Sequence, residues 1–491
     1  MPPIAAALLV FCTSAAVLVL EILAGRLLAP YVGVTLETYT GIIGVVLAGI
    51  ALGNWLGGRA ADRVDPRKTL GPLLVVGGTF ALCTVPAIRL FGALGLGAGP
   101  IGITTLALVG FFGPATALSA VSPTVVKLQL ADLDQTGRVV GRLSALGTAG
   151  AILGTFVTGF VLVAAVPTPP IVLTLGVLLV AAGVLVWAWL GRGAGAQLPV
   201  TALLLAGLGA GLALLLPSPC EFESAYFCAR VVPDPGRLSG RTLWLDRLRH
   251  SYVDLADPTH LEFSYARIMS DVIASIAPER QPITALHIGG GGFSLPRYLA
   301  AVRPGSFSRV LELDPTLVRI ARTELGLRTG PNLQVRIGDA RLGLADEPAD
   351  RYDLVIGDAF GGQAVPWHLT TSEFIGEVKR TLRPGGVYAL NLIDNPPLSF
   401  ARAELATMRA AFQRVALIAP PDHVRGAAGG NFVLVGSDER LEVEAVQQRN
   451  RDRGDHDLVV WRDADLDAFT ARAHVLTDDY APVDQLLTPL T

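Results

Sequence analysis

The sequence predicts an N-terminal multi-pass α-helical membrane domain over residues 1–216 and a C-terminal α/β domain with a doubly wound sheet over 283–491, joined by a β-rich lead and first helix over 217–282. Three observations predict this. Of the 491 residues 51% are hydrophobic and only 16% charged, with a mean hydropathy of +0.50, whereas a soluble domain carries about 25% charged residues. The apolar residues gather before Pro217 in runs close to the roughly 20 residues that cross a bilayer as a helix. After Leu216 the chain is charged and mixed, and from about 283 to 440 short apolar strands alternate with helical patterns.

Composition also excludes function classes. The 39 basic residues are outnumbered by 42 acidic ones, so no basic surplus is left to grip nucleic acid. Four cysteines make no disulfide scaffold, and seven histidines without metal-ligand spacing make no zinc site, so no metal is expected.

The expected spans, about seven, lie at 4–25, 39–58, 70–90, 101–121, 144–166, 170–190 and 198–216, which makes the lipid bilayer a partner. Residues 1–25 lack a basic leader segment and run into Glu21, so they read as a retained helix. Glu21, the one acid within a span, is expected near its helix end, paired with Arg26. The run 144–166 carries Gly147, Gly150, Gly154 and Gly159, small residues that let two membrane helices approach closely. Cys12 and Cys83 lie within spans as packing residues. Pro217 and Pro219 break the last helix.

Loop charges orient the spans. Arg59, Arg63, Arg67 and Lys68 in loop 59–69, Lys127, Arg138 and Arg142 in loop 122–143, and Arg192 share one side, against Arg26 and Arg89 on the other. The basic side is cytoplasmic by the positive-inside rule, so seven spans place the C-terminal half outside. Cys220 and Cys228, just beyond the last span, either close a disulfide there or are unrelated free thiols.

In the soluble half, 283–288 reads as a buried strand, Gly289–Gly292 as a turn, and about 294–301 as a helix. That succession brings backbone close to a nucleotide, since a Cβ would block the approach. A second strand, 309–313, ends in Glu312 and Asp314, about 20 residues on, where an acid accepts ribose hydroxyls. A third, 333–337, ends at Gly338–Asp339, a fourth, 352–356, at Gly357–Asp358, and a fifth covers 387–392. Ligands bind at the carboxyl edge of such a Rossmann-like sheet. The alternative is that each acid merely caps the helix that follows.

These residues resemble a known family. His287–Gly291, Leu311–Asp314, Gly338–Ala340 and Gly357–Asp358, with Leu243–Asp246 and Glu262–Tyr265 upstream, are similar to the spermidine synthase (polyamine aminopropyltransferase) family, and the whole chain to its membrane-fused bacterial members, of which Leu476–Val483 is typical. The resemblance implies an S-adenosylmethionine-dependent methyltransferase-type fold and aminopropyl transfer from decarboxylated S-adenosylmethionine, as co-substrate rather than a tightly bound cofactor, to an amine such as putrescine. By matched position, Gly289 and Gly291 line the nucleotide turn, Glu312 holds the ribose hydroxyls and Asp339 the adenine amine. Asp358 deprotonates or orients the amine, and Tyr265 positions it. The resemblance leaves a homodimer open.

The chain departs from the family where the family binds its diamine. Gly292 and Gly361 stand where acids are usual, and Phe227 in place of a Gln. Carboxylates at both ends suit a diamine dication, so these departures favour a different acceptor or no transfer at all. Two other readings follow: a methyltransferase using S-adenosylmethionine itself, and a non-catalytic membrane sensor or transporter with a nucleotide- or polyamine-binding domain. An external soluble half also separates the site from a donor made in the cytosol.

Overall fold

The computed structural model describes residues 1–130 and 136–488, so part of the expected loop 122–143 and the last three residues lie outside the described residues. The chain divides into two compact units: Met1–Arg230 with Leu245–Arg247, and Val231–Trp244 with the chain from Leu248 onward.

The first unit is helical. All seven apolar runs are helices: α1 Pro3–Val32, α2 Leu36–Arg63, α3 Pro66–Gly92, α4 Pro100–Gln129, α5 Thr136–Ala165, α6 Thr168–Ala194 and α7 Val200–Leu215. The first six are long and apolar enough to cross a membrane. The seventh has 16 residues, about 24 Å at 1.5 Å each, somewhat short of a hydrocarbon core of about 30 Å. Two expected loops shrink, because the helices run on past the apolar stretches. Arg63 ends α2, Arg67 and Lys68 open α3, and Lys127 sits in the last turn of α4.

Glycine sets the helix contacts. A Cβ at Gly150 would collide with the Phe11 backbone carbonyl, and one at Gly154 would lie 2.7 Å from the carbonyl of Ala15. Both positions advance along the two helices together, so α1 and α5 run parallel with their backbones in contact. Arg26 does not pair with Glu21. Five residues apart, the two lie on different faces of α1. Instead Arg26 Nη2 lies 3.5 Å from Glu223 Oε1, while Nη1 donates to the Ala225 carbonyl at 2.9 Å. Glu21 is half-buried. Cys220 and Cys228 are joined in a disulfide, leaving Cys12 and Cys83 free.

The lead folds into a four-stranded sheet in the order β1 (Phe222–Glu223), β2 (Cys228–Asp234), β3 (Arg237–Leu245), β4 (Leu248–Asp254). The helix α8 (Ser264–Ser275) follows. The α/β alternation then gives β5 (Thr284–Ile288), α9 (Ser294–Val302), β6 (Phe307–Glu312), α10 (Pro315–Thr323), β7 (Leu333–Ile337), α11 (Ala340–Ala345), β8 (Tyr352–Gly357), α12 (Ser372–Thr381) and β9 (Leu382–Asp394). Beyond it lie α13 (Ser399–Ala411), β10 (Arg414–Ala419), β11 (Gly430–Ser437), α14 (Val443–Arg453) and β12 (Val459–Trp461).

The eight strands are ordered β12-β10-β11-β9-β8-β5-β6-β7. The five from β5 to β9 are parallel, while β11 runs antiparallel between β9 and β10, and β12 antiparallel to β10. This antiparallel edge is not visible in the strand signals, which carry no pairing information. Alternation along β9 sends Tyr388, Leu390 and Leu392 into one core and Val387 and Ala389 into the core on the other face. With period two, Asn391 takes the next place on the second face, where α8 packs through Met269 and Val272. Caps fix the helix starts. Asp314 accepts from Thr316 N at 2.8 Å and Thr371 from Phe374 N at 3.3 Å.

Candidate active site

The strand β5 has β6 on one side and β8 on the other, so the strand order reverses at its carboxyl end. The glycine turn sits there. Gly289 has φ +93°, and a Cβ on it would collide with the backbone carbonyl of Asp358. Only glycine fits. Gly290 N and Gly291 N donate to Glu312 Oε2 at 2.8 and 3.2 Å, and Asp314 N donates to Oε1 at 2.9 Å. Burial pushes the Glu312 carboxyl up, and these three N–H groups pull it back. A carboxylate has about four acceptor sites, so roughly one remains for a ligand hydroxyl.

Helix capping accounts for two of the strand-end acids. Asp314 caps α10, and Asp339 Oδ1 caps α11 through Leu342 N at 3.0 Å. Asp339 keeps a second contact, with Oδ2 lying 2.9 Å from His368 Nε2. Asp358 is different. Asn391 Nδ2 donates to its Oδ1 at 2.9 Å and Tyr265 Oη to its Oδ2 at 3.3 Å. Asn391 is in turn held by Asn431, whose Nδ2 donates to Asn391 Oδ1 at 3.0 Å. Burial raises the Asp358 carboxyl from 3.8 to about 6, against the two hydrogen bonds that lower it. Burial and the neighbouring Asp358 push the Tyr265 phenol well above its ordinary value.

Tyr265, Asp358, Gly289 and Gly290 line one cavity, together with Leu261, Glu262, Phe263 and His287. The arrangement thus brings the expected catalytic pair together beside the glycine turn. Burial drives His287 down to about 3, so it is neutral at pH 7. Asp358, by contrast, is mostly ionised at pH 7 and a stronger base than an ordinary carboxylate.

The two departures from the family pattern differ in kind. A Cβ at Gly292 would lie 2.7 Å from Ser251 Cβ, and Gly292 N donates to Ser251 Oγ at 3.0 Å. At Gly361 the nearest atom is 4.0 Å away, so a side chain fits. Two later acids, Asp394 and Asp478, are engaged. Asp394 is fully buried and accepts from Asn395 N at 2.8 Å and Ala401 N at 2.9 Å, while Asp478 is gripped at both oxygens by Arg341.

Sequence reasoning missed Asn391, Asn431 and His368. Asn391 had a signal: an amide in the otherwise apolar run Val387–Leu392 needs a buried partner. Asn431 and His368 had none, because only the antiparallel pairing of β11 with β9 and the chain between β8 and α12 bring them in.

Comparison with known proteins gives transferases of two kinds. The polyamine aminopropyltransferase of Vibrio vulnificus (strain CMCP6) is 34% identical over 152 residues, covering 30% of this chain and 49% of that protein. The eEF1A lysine and N-terminal methyltransferase of Mus musculus is 30% identical over 140 residues, covering 27% of this chain and 20% of that protein. Among solved structures, a probable spermidine synthase from Corynebacterium glutamicum ATCC 13032 is 30% identical, with coverage of 54% of this chain and 96% of that one and a TM-score of 0.48. No protein-family model matches. The chain spans about half the length of the curated aminopropyltransferases of Vibrio vulnificus and Chromobacterium violaceum. The α/β half is thus similar to polyamine aminopropyltransferases and to methyltransferases, both of them transferases.

Proposed function

We propose that the protein is a membrane-bound aminopropyltransferase that moves the aminopropyl group of decarboxylated S-adenosylmethionine to an amine such as putrescine. One observation carries this: Asp358, held between Tyr265 and Asn391 beside the glycine turn, with its carboxyl raised to about 6. An ammonium cannot attack, so it first gives a proton to Asp358. The freed amine lone pair then bonds the aminopropyl carbon next to the sulfonium. The carbon–sulfur bond breaks, its electron pair stays on sulfur, and methylthioadenosine leaves. Gly289 and Gly291 would line the nucleoside, Glu312 would accept a ribose hydroxyl and Asp339 would face the adenine amine.

The test is purified full chain with aminopropyl-labelled donor, with and without putrescine. Label in an amine product and release of methylthioadenosine support the proposal, and neither appearing refutes it. A second reading has its own support in the methyltransferase relatives. The same protein with methyl-labelled S-adenosylmethionine and no amine tests it.

Six apolar helices and a shorter seventh support a membrane protein. The basic side of the loops and the joined Cys220 and Cys228 support placing the α/β half outside the cytoplasm. A reporter enzyme fused after Thr491 and active only in the cytoplasm would overturn that placement.

A further inference from the structure

The cavity beside Asp358 is lined by a second carboxylate, Glu262, that the reaction as written does not use. None of the lining residues is Lys or Arg, and the one lining histidine, His287, is neutral. Two acidic residues in a lining that holds no Lys or Arg complement a ligand with two positive charges. The Glu262 side chain sits just before α8, the helix whose first turn carries Tyr265, so both groups are positioned by one element. Its Oε2 lies 3.3 Å from His260 Nε2, and the His260 ring packs edge-on against Tyr252, another lining residue. Glu262 is thus steered by its neighbours while its side chain stays 42% exposed.

We propose that Glu262 pairs with the second ammonium of a diamine acceptor while Asp358 takes the proton from the first. This rests on the aminopropyl-transfer reading and adds a specificity residue to it. Glu262 does for the far end of the acceptor what the collision at Gly292 and the bare turn at Gly361 prevent those positions from doing.

Putrescine and n-butylamine have the same carbon chain and differ in one ammonium, so their comparison isolates the Glu262 contact. Each is titrated calorimetrically into the detergent-solubilised full chain saturated with methylthioadenosine. The natural chain should bind putrescine at least about tenfold more tightly than n-butylamine, as expected for one charge-assisted contact. Glu262→Gln should bring the two amines to similar affinity and leave the affinity for methylthioadenosine, the check on folding, as it was. Equal binding of the two amines by the natural chain overturns the proposal, as does a preference that survives in Glu262→Gln. Discrimination that depends on Glu262 without turnover of either amine would leave this assignment standing and refute aminopropyl transfer itself.

Discussion

The hydrogen bond from Asn391 Nδ2 to Asp358 Oδ1, 2.9 Å long, stabilises the carboxylate over the carboxylic acid. Burial has raised that carboxyl to about 6, and the Asn391 contact is the larger of the two that hold it down. Asn391→Ala removes it. A hydrogen bond to a charged group contributes about 1.5–3 kcal/mol, and each pH unit corresponds to about 1.4 kcal/mol. Asp358 should therefore titrate about one to two pH units higher. The sign follows from the base form being the active one. In the natural chain kcat/KM should rise with pH to a plateau above about 6, and in Asn391→Ala the rising limb should move to about 7–8. At pH 6.5 the variant loses roughly tenfold, and at pH 9 it loses little. The assay is methylthioadenosine release across pH 5–10. A limb that stays near 6 or moves down, or an equal loss at every pH, would refute the reasoning and leave Asn391 as a packing residue.

Three further outcomes are expected. Glu312→Ala orphans the N–H groups of Gly290, Gly291 and Asp314, so it should weaken an adenosyl ligand by about 1–3 kcal/mol and lower thermal stability; unchanged calorimetric affinity would end the assignment of the nucleotide turn. Gly361→Asp has room and adds a carboxylate, so it should lower the KM for putrescine several-fold, while Gly292→Asp meets Ser251 and should destabilise the fold by about 1–3 kcal/mol without that gain; the reverse pattern in kinetics and thermal melts would show the turn geometry to be misread. Alkylation of the unreduced, denatured chain should label Cys12 and Cys83 only, and all four cysteines after reduction; four labels without reductant would exclude the Cys220–Cys228 bond.

What the sequence determined by itself was whatever depends on local pattern. Apolar runs of about twenty residues read as helices long enough to cross a bilayer, so the seven helices of the first unit were legible, and only the shortness of Val200–Leu215 needed the structure. The strands β5 to β9 and the glycine turn were legible for the same reason: apolar runs, Gly289 and strand-end acids are local signals, and a parallel sheet brings all those ends to one edge. Only the tertiary structure decided which of these acids caps a helix. Asp314, Asp339 and Asp358 look alike at the ends of strands, yet the first two are drawn to helix N–H groups and the third is held by side chains from α8 and β9. The Arg26 contact went the same way. Sequence proximity suggested Glu21, but the helix turns Arg26 toward Glu223, a residue 197 positions later. Contacts between residues far apart in the chain depend on which faces meet in the fold, and neither hydropathy nor spacing records that.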